Sequence, residues 1–203
     1  HDPETGDLQW RWYTVPQKMG DPGSETWPSE EAMKHGGGMT WLTPTYDPEL
    51  NMIYVPTGNP QPVIAGQARP GANLFTASVV ALNPDTGKMQ WYFQSSPHDT
   101  HDWDATQTPV LFDAEIDGRE RKLVAQASRN GYFFVLDRAT GKEAWKQDLK
   151  GDVTSSPVLA GGKLIVGTRG STQICSPSCN VSLLRSPGWY GVFGNSPKLL
   201  FRL

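Results

Sequence analysis

Cysteine is scarce in this sequence of 203 residues, which contains only Cys175 and Cys179. Two cysteines are too few for the disulfide framework of a small secreted domain, and they do not complete a four-ligand zinc site. Cysteine content therefore gives no information on the redox compartment.

Long apolar runs and basic blocks are also missing. No apolar run approaches the roughly 20 residues that a membrane helix needs, so we expect a chain that does not span a membrane. The 18 Lys and Arg residues are balanced by 21 Asp and Glu residues, and they form no basic block. A nucleic-acid partner is therefore not expected.

Helical periodicity is nearly absent, apart from one turn predicted at Ser29–Lys34. In contrast, glycine (21) and proline (17) together approach a fifth of the chain, and there are 8 Trp. This composition favours many short strands joined by turns over a helical bundle.

A frame of the form Asp/Asn-x-x-Thr-Gly-x-x-x-Trp occurs three times. The copies are Asp2–Trp10, Asn83–Trp91 and Asp137–Trp145. The second and third copies follow strand-like runs, and glycine stands where a turn needs a positive φ, so we predict a hairpin at each. Repeats of this kind are typical of a β-propeller. The first copy lacks a preceding strand, and we therefore expect the chain to be an internal fragment of a longer protein.

Further strands are predicted outside the repeat, with a hairpin over Ser156–Gly167 that turns at the two glycines of residues 161–162. These strands are Met52–Val55, Thr108–Phe112, Lys122–Gln126, Ser156–Leu159 and Lys163–Gly167. The predicted fold class is all-β, a partial propeller over residues 1–167. Residues 168–203 lack the repeat and form an atypical tail that we leave unassigned.

An acidic cluster, Pro97–Asp104, follows the second repeat copy. Asp102 and Asp104 are two residues apart, so on a strand they would share a face, with Trp103 on the other. Paired carboxylates suit a hard cation, a general base or both, although an Asp-rich solvated turn has the same composition.

Three further segments carry candidate residues. Three glycines precede Trp41, either to bring an indole against a flat ligand or as a flexible turn before a core Trp. Asn59 in Thr-Gly-Asn-Pro is a candidate amide ligand or a turn former. Arg129 precedes a strand, as a ligand contact or a surface ion-pair residue.

Together these motifs resemble those of the pyrroloquinoline quinone (PQQ) dependent alcohol dehydrogenases, the quinoprotein family that includes methanol dehydrogenase. The resemblance covers residues 1–167. The segments that carry it are Gly36–Trp41, Tyr46–Asn51, Thr57–Pro60, Arg69–Asn73, Pro97–Asp104 and Arg129–Arg138. It implies about three blades of an eight-bladed propeller, with a Trp-docking motif in each blade.

The resemblance also implies roles for individual residues. Trp41 would stack on PQQ, and Arg129 would bind the quinone carbonyls and assist catalysis. Asp102 would be the catalytic base and a metal ligand. Asn59 and Asp104 would bind the metal, which is Ca²⁺ or a lanthanide ion, the latter favoured by the additional carboxylate of Asp104.

The implied reaction is oxidation of a primary alcohol to an aldehyde by hydride transfer to PQQ. A c-type cytochrome would accept the electrons, and the location would be periplasmic. His101 stands where methanol dehydrogenase-like members have Trp, which leaves the substrate open. The family's glutamate metal ligand and cofactor-covering disulfide are expected before residue 1, so the 203 residues alone are expected to be inactive.

Two alternatives remain at this point. One is a sugar or polyol quinoprotein, which shares the propeller and an Asp cluster. The other is a non-catalytic propeller of the kind that scaffolds outer-membrane protein assembly, which would explain the repeats alone.

Overall fold

The chain folds into three antiparallel sheets, and the all-β prediction is confirmed. The computed structural model describes residues 1–116, 118–160 and 163–169, and the backbone of two more strands at 171–175 and 182–183. Within these residues lie α1 (Glu30–Lys34), 3-10 turns at Ser24–Thr26 and Gly66–Ala68, and strands β1 (Thr45–Asp47), β2 (Met52–Pro56), β3 (Ser78–Leu82), β4 (Met89–Gln94), β5 (Val110–Ile116), β6 (Arg119–Ala127), β7 (Tyr132–Asp137), β8 (Glu143–Asp148), β9 (Val158–Ala160), β10 (Lys163–Thr168), β11 (Ser171–Cys175) and β12 (Ser182–Leu183).

The sheets have the strand order of successive propeller blades. The first sheet has the order β1-β2-β3-β4, and the second has β5-β6-β7-β8 with β12 added beside β5. The third has the order β11-β10-β9. Each of the first two is a four-stranded meander, so the described residues form two blades and part of a third.

The strands predicted from the sequence all coincide with or overlap observed strands. The predicted helical turn is α1, where the Ser29 hydroxyl accepts the amide of Ala32 as an N-cap. Strands β9 and β10 pair as predicted, although the glycines at 161–162 lie outside the described residues. Strand β10 continues to Thr168 and pairs with β11, so pairing extends beyond the expected boundary at residue 167. That boundary stays a prediction.

Both predicted hairpins are present, and they share one irregularity. Strands β3 and β4 pair with a register shift between Ala81 and Leu82, and β7 and β8 pair with a shift between Val135 and Leu136. Ala81 is opposite Trp91 and Val135 is opposite Trp145. The bulge therefore recurs at the same position of the frame.

The fixed residues of the frame build its turn. The side-chain oxygen of Asn83 accepts the amides of Asp85 and Thr86 and the hydroxyl of Thr86. Asp137 makes the corresponding bonds in the third copy. The glycines Gly87 and Gly141 have φ of 68° and 70°, a region that favours glycine.

Each frame tryptophan of the first two copies docks on the turn of the next copy. Trp10 donates its indole N–H to the carbonyl of Pro84 at 2.6 Å, and Trp91 donates to the carbonyl of Arg138 at 3.0 Å.

Hydrophobic clusters contain buried residues from neighbouring sheets. Tyr54, Val79 and Trp91 of the first sheet are clustered with Val124, Phe134 and Leu136 of the second. Phe112, Leu123 and Phe133 of the second are clustered with Leu164 and Val166 of the third.

None of the helices among the described residues has the length and apolar character that crossing a membrane requires.

Candidate active site

Two loops at one end of the first sheet are joined through their backbones. Gly38 donates its amide to the carbonyl of Asn59 at 2.9 Å, and Gly58 donates to the carbonyl of Met39 at 2.9 Å. A Cβ at Gly37 would lie 2.7 Å from the Asn59 carbonyl oxygen. The glycines before Trp41 therefore let this loop approach the Thr-Gly-Asn-Pro loop at a distance that a side chain would prevent.

Trp41 lies directly on Gly58. A Cβ built there would be 2.6 Å from Cζ3 of the indole and 3.0 Å from Oδ1 of Asp104. The Trp41 side chain nevertheless stays 52% exposed, so it is not a core residue of the described chain. An indole supported by backbone on one side and open elsewhere is suited to stacking on a planar ligand.

The acidic cluster is a loop, and the prediction that Asp102 and Asp104 share a face of a strand is wrong. Residues 102–104 belong to no strand, and Asp102 has φ of 70°, in the left-handed region. The Asp99 carboxylate accepts the amides of His101 and Trp103, each at 2.8 Å. These local bonds compete with strand pairing, which is why the alternation rule failed here.

Asp104 is buried, with 4% of its surface exposed, and it is the centre of the site. Its Oδ2 accepts Nη1 of Arg129 at 2.7 Å, and its Oδ1 accepts the main-chain amide of Asn59 at 3.0 Å. Burial raises the pKa of the Asp104 carboxyl, and the charge of Asp102 adds to that rise. The Asn59 amide and the Arg129 charge oppose it.

The sequence-predicted residues are therefore brought together. Trp41, Asn59 and Arg129 are linked through Gly58 and Asp104 by the contacts above, and Asp102 is close enough to act on Asp104 electrostatically. Arg129 is half-exposed and forms its ion pair with the buried carboxylate of Asp104. The side-chain amide of Asn59 donates to the carbonyl of Pro60 at 3.0 Å.

Carboxylate and amide oxygens at this site are of the type that a hard cation binds, and the described residues supply only part of a ligand set. Ca²⁺ takes about six to eight oxygen ligands, and lanthanide ions are of similar size. Within the described part of the chain, no group of three or more His, Cys, Asp and Glu residues is placed to hold a metal. The carboxylates of Asp102 and Asp104 and the side-chain amide of Asn59 would each offer an oxygen atom as a metal ligand. A cation beside Asp104 would offset the burial of its charge.

Sequence reasoning missed the residues that hold the acidic loop. Asp99 is buried, and Arg69, also buried, donates to its carbonyl oxygen. The sequence did offer one indication. Asp99 stands just before residues whose main-chain amides can donate hydrogen bonds to its carboxylate, as is common for Asp in local turns. Arg69 is separated from the loop by 30 residues, so only the folded chain shows the contact.

The fold and this constellation define a quinoprotein dehydrogenase propeller. Residues 1–148 match the family model described as "PQQ: Glucose/ethanol/alcohol dehydrogenase, beta-propeller domain", and the chain belongs to this family. A similar protein is quinohemoprotein alcohol dehydrogenase ADH IIB of Pseudomonas putida, 44% identical over 156 residues, covering 70% of this chain and 22% of that protein. Lanthanide-dependent methanol dehydrogenase of Methylorubrum extorquens is 36% identical over 159 residues, covering 70% and 26%.

Solved structures give the same result. The quinohemoprotein alcohol dehydrogenase from Comamonas testosteroni matches with a TM-score of 0.67 and 42% identity, covering 71% of this chain and 23% of that one. The prediction of a partial quinoprotein propeller is thus confirmed. The chain spans between a fifth and about a quarter of the length of these relatives.

Proposed function

We propose that this chain supplies part of the active site of a PQQ- and metal-dependent dehydrogenase that oxidises a primary alcohol to the aldehyde. The observation that carries the proposal is the convergence of Trp41, Asn59, Asp104 and Arg129 around Gly58. The relatives quoted above are named as alcohol dehydrogenases or a methanol dehydrogenase. Their names favour an alcohol over a sugar substrate, and a catalytic propeller over a scaffold.

In this proposal Trp41 and Arg129 hold the cofactor. The indole supplies a stacking face, and the guanidinium supplies donors in addition to the one that binds Asp104. When bound, PQQ and its metal ion supply an electrophilic carbonyl that takes up hydride from the alcohol carbon.

Asp102 is the proposed general base. Its carboxylate would accept the hydroxyl proton of the alcohol as hydride leaves the same substrate. Arg129 would stabilise the negative charge that develops on oxygen, and its pairing with buried Asp104 fixes one end of the guanidinium.

Asn59, Asp102 and Asp104 are the proposed metal ligands of this chain. A second carboxylate raises the negative charge offered to the ion, which favours a trivalent lanthanide over Ca²⁺. A relative is named as lanthanide-dependent, and a europium-containing methanol dehydrogenase matches the fold with 37% identity and a TM-score of 0.60. The residues therefore support a lanthanide ion, with Ca²⁺ as the alternative.

The electron acceptor and the location are proposed by family resemblance. We propose a c-type cytochrome as acceptor, in keeping with relatives whose names include a haem group. A periplasmic location follows from the same resemblance.

The test uses the full-length protein that carries this chain. PQQ is titrated with La³⁺ or Ca²⁺ and followed by quenching of tryptophan fluorescence, and dye reduction is measured with ethanol and with glucose. We expect saturable quenching that weakens in Trp41→Phe, and turnover with ethanol. We expect Asp102→Asn to bind PQQ but to lose turnover.

Glu115→Gln is the matched control, since it also removes one carboxylate charge, from an exposed position on β5. It should bind PQQ and turn over like the unchanged protein. Near-full turnover by Asp102→Asn would refute the base assignment, and absence of PQQ binding would refute the function.

A further inference from the structure

We infer that Asp99, held by Arg69, is a positioning residue that fixes the backbone conformation of Asp102. This inference rests on the proposed function, because it assigns a task to Asp99 only if Asp102 acts on the substrate.

The bonds of Asp99 flank Asp102 on both sides. Its Oδ1 accepts the amide of His101 at 2.8 Å, and its Oδ2 accepts the amide of Trp103 at 2.8 Å. Asp102 lies between these two amides with φ of 70°, which a residue other than glycine rarely adopts without support. One carboxylate thus holds the 100–101 peptide, one residue before Asp102, and the 102–103 peptide that directly follows it.

Arg69 holds Asp99 in turn. Its guanidinium is fully buried and donates to the main-chain oxygen of Asp99, to the carbonyls of Pro62 and Val63, and to the side-chain oxygen of Asn73. Burial lowers the pKa of Arg69, and the charge of Asp99 opposes that shift. Through its hydrogen bonds to the carbonyls of Pro62, Val63 and Asp99, Arg69 anchors the acidic loop to the loop that follows Pro60.

Asp99 and Asp102 would have different roles, since Asp99 holds the loop and Asp102 acts on the substrate. Asp99 is only 3% exposed and has both carboxylate oxygens on backbone amides, so its oxygens are committed to the loop. Asp102 is partly exposed. Loss of Asp99 would release the left-handed conformation and move the Asp102 carboxylate away from the position that the reaction requires.

Amide hydrogen exchange in the full-length protein without PQQ or metal tests the first step. In Asp99→Ala we expect faster exchange at His101 and Trp103, with unchanged protection at Val124 and Phe134 in the second sheet. Such a local effect distinguishes loss of the loop bonds from general destabilisation. Glu115→Gln should leave all four amides unchanged.

Kinetics of the PQQ-loaded protein test the second step. Misplacement of a reacting group by about 1 Å can cost on the order of a hundredfold in rate, so we expect kcat of Asp99→Ala to fall by about that factor. KM for the alcohol and affinity for PQQ should change little. Asp99→Asn retains one accepting oxygen and should lose less; it replaces the alanine variant if that variant does not fold.

The two ideas fail in different ways. Unchanged exchange at His101 and Trp103 in Asp99→Ala, or kcat close to that of the unchanged protein, would overturn the positioning role. Near-full turnover by Asp102→Asn would instead refute the base assignment on which this inference rests, and absence of PQQ binding would refute the proposed function, whatever the exchange experiment shows.

Discussion

Trp91 covers Gly141 so closely that a methyl group at residue 141 would overlap the indole. A Cβ built at Gly141 would lie 2.5 Å from Cε3 of Trp91, and the indole N–H donates to the carbonyl of Arg138 at 3.0 Å in the same turn. Trp91 is therefore one of the side chains that join the first and second sheets, and it is seated on a bare stretch of backbone.

Gly141→Ala should destabilise the protein through this contact. Gly118 has φ of 74°, and a methyl group there would meet no atom within 4 Å, so Gly118→Ala has the backbone strain without the clash. We expect Gly141→Ala to cost about 1–3 kcal/mol more than Gly118→Ala, the usual range for overpacking. Urea unfolding of both variants measures the difference, and equal costs would show that the indole moves freely.

Arg138 and Asp47 form a buried pair between these sheets, with Nη1 to Oδ2 at 3.2 Å. Removing one partner of a buried pair commonly costs about 3 kcal/mol or more, because the other charge is left uncompensated. We expect that cost for Arg138→Met and a partial recovery when Asp47→Asn is added. A double-mutant cycle measures the coupling. Strictly additive costs would mean that the pair does not interact energetically.

Tyr54 should make stability depend on pH in alkaline solution. Burial first, and then the charge of Asp47, raises the pKa of Tyr54 above its ordinary value of 10.0. Its contribution is thus fully present below the ordinary pKa and is lost as pH rises through the higher folded pKa.

Tyr54→Phe removes this titration and the hydroxyl bond to the Arg138 carbonyl. We expect it to cost about 1 kcal/mol at neutral pH and to flatten the decline of stability above pH 10.0. Unfolding midpoints from neutral to alkaline pH give the slopes, with exposed Tyr46→Phe as control. A slope equal to that of the unchanged protein would contradict the prediction.

Gly58→Ala should weaken PQQ binding without unfolding the protein. The added methyl would meet Trp41 at 2.6 Å and push the indole out of place. Gly151→Ala is the control, since the nearest atom to its Cβ is 4.0 Å away. Fluorescence titration with PQQ should show at least about a tenfold loss of affinity for Gly58→Ala alone, the loss expected from about 1.4 kcal/mol. Equal affinities would refute the stacking role of Trp41.

Asp104→Ala should shift the metal preference of the site. A trivalent ion gains more from a carboxylate than a divalent ion does, so La³⁺ affinity should fall by about tenfold or more and Ca²⁺ affinity by less. Calorimetric titration of the PQQ-loaded protein with each ion measures both. Asp104→Asn, which keeps the shape, should behave similarly. Equal losses for the two ions would remove Asp104 as a source of selectivity.

Much of the blade structure could be predicted from local sequence. The Asp/Asn, Thr and Gly of each frame make their bonds within one turn, so the pattern alone determines the hairpins. The partner of each tryptophan could not be predicted in this way. Trp91 docks 47 residues further along the chain, a distance that depends on how the sheets stack.

The candidate site shows the same division between local and long-range information. The residue types and their order indicated the family, and Trp41, Asn59, Asp104 and Arg129 do converge. The geometry of the acidic loop was predicted wrongly, because alternation in a strand was assumed where Asp99 imposes a left-handed turn. The roles assigned to these residues remain predictions.

Pro84 and Arg138 occupy the same place in successive frames, and each offers only its carbonyl oxygen to the incoming indole. An acceptor that belongs to the main chain is retained whatever side chain evolves there. The side chain at that place is therefore free to take on an unrelated task, as Arg138 does with its ion pairs, while the joint between neighbouring blades is kept.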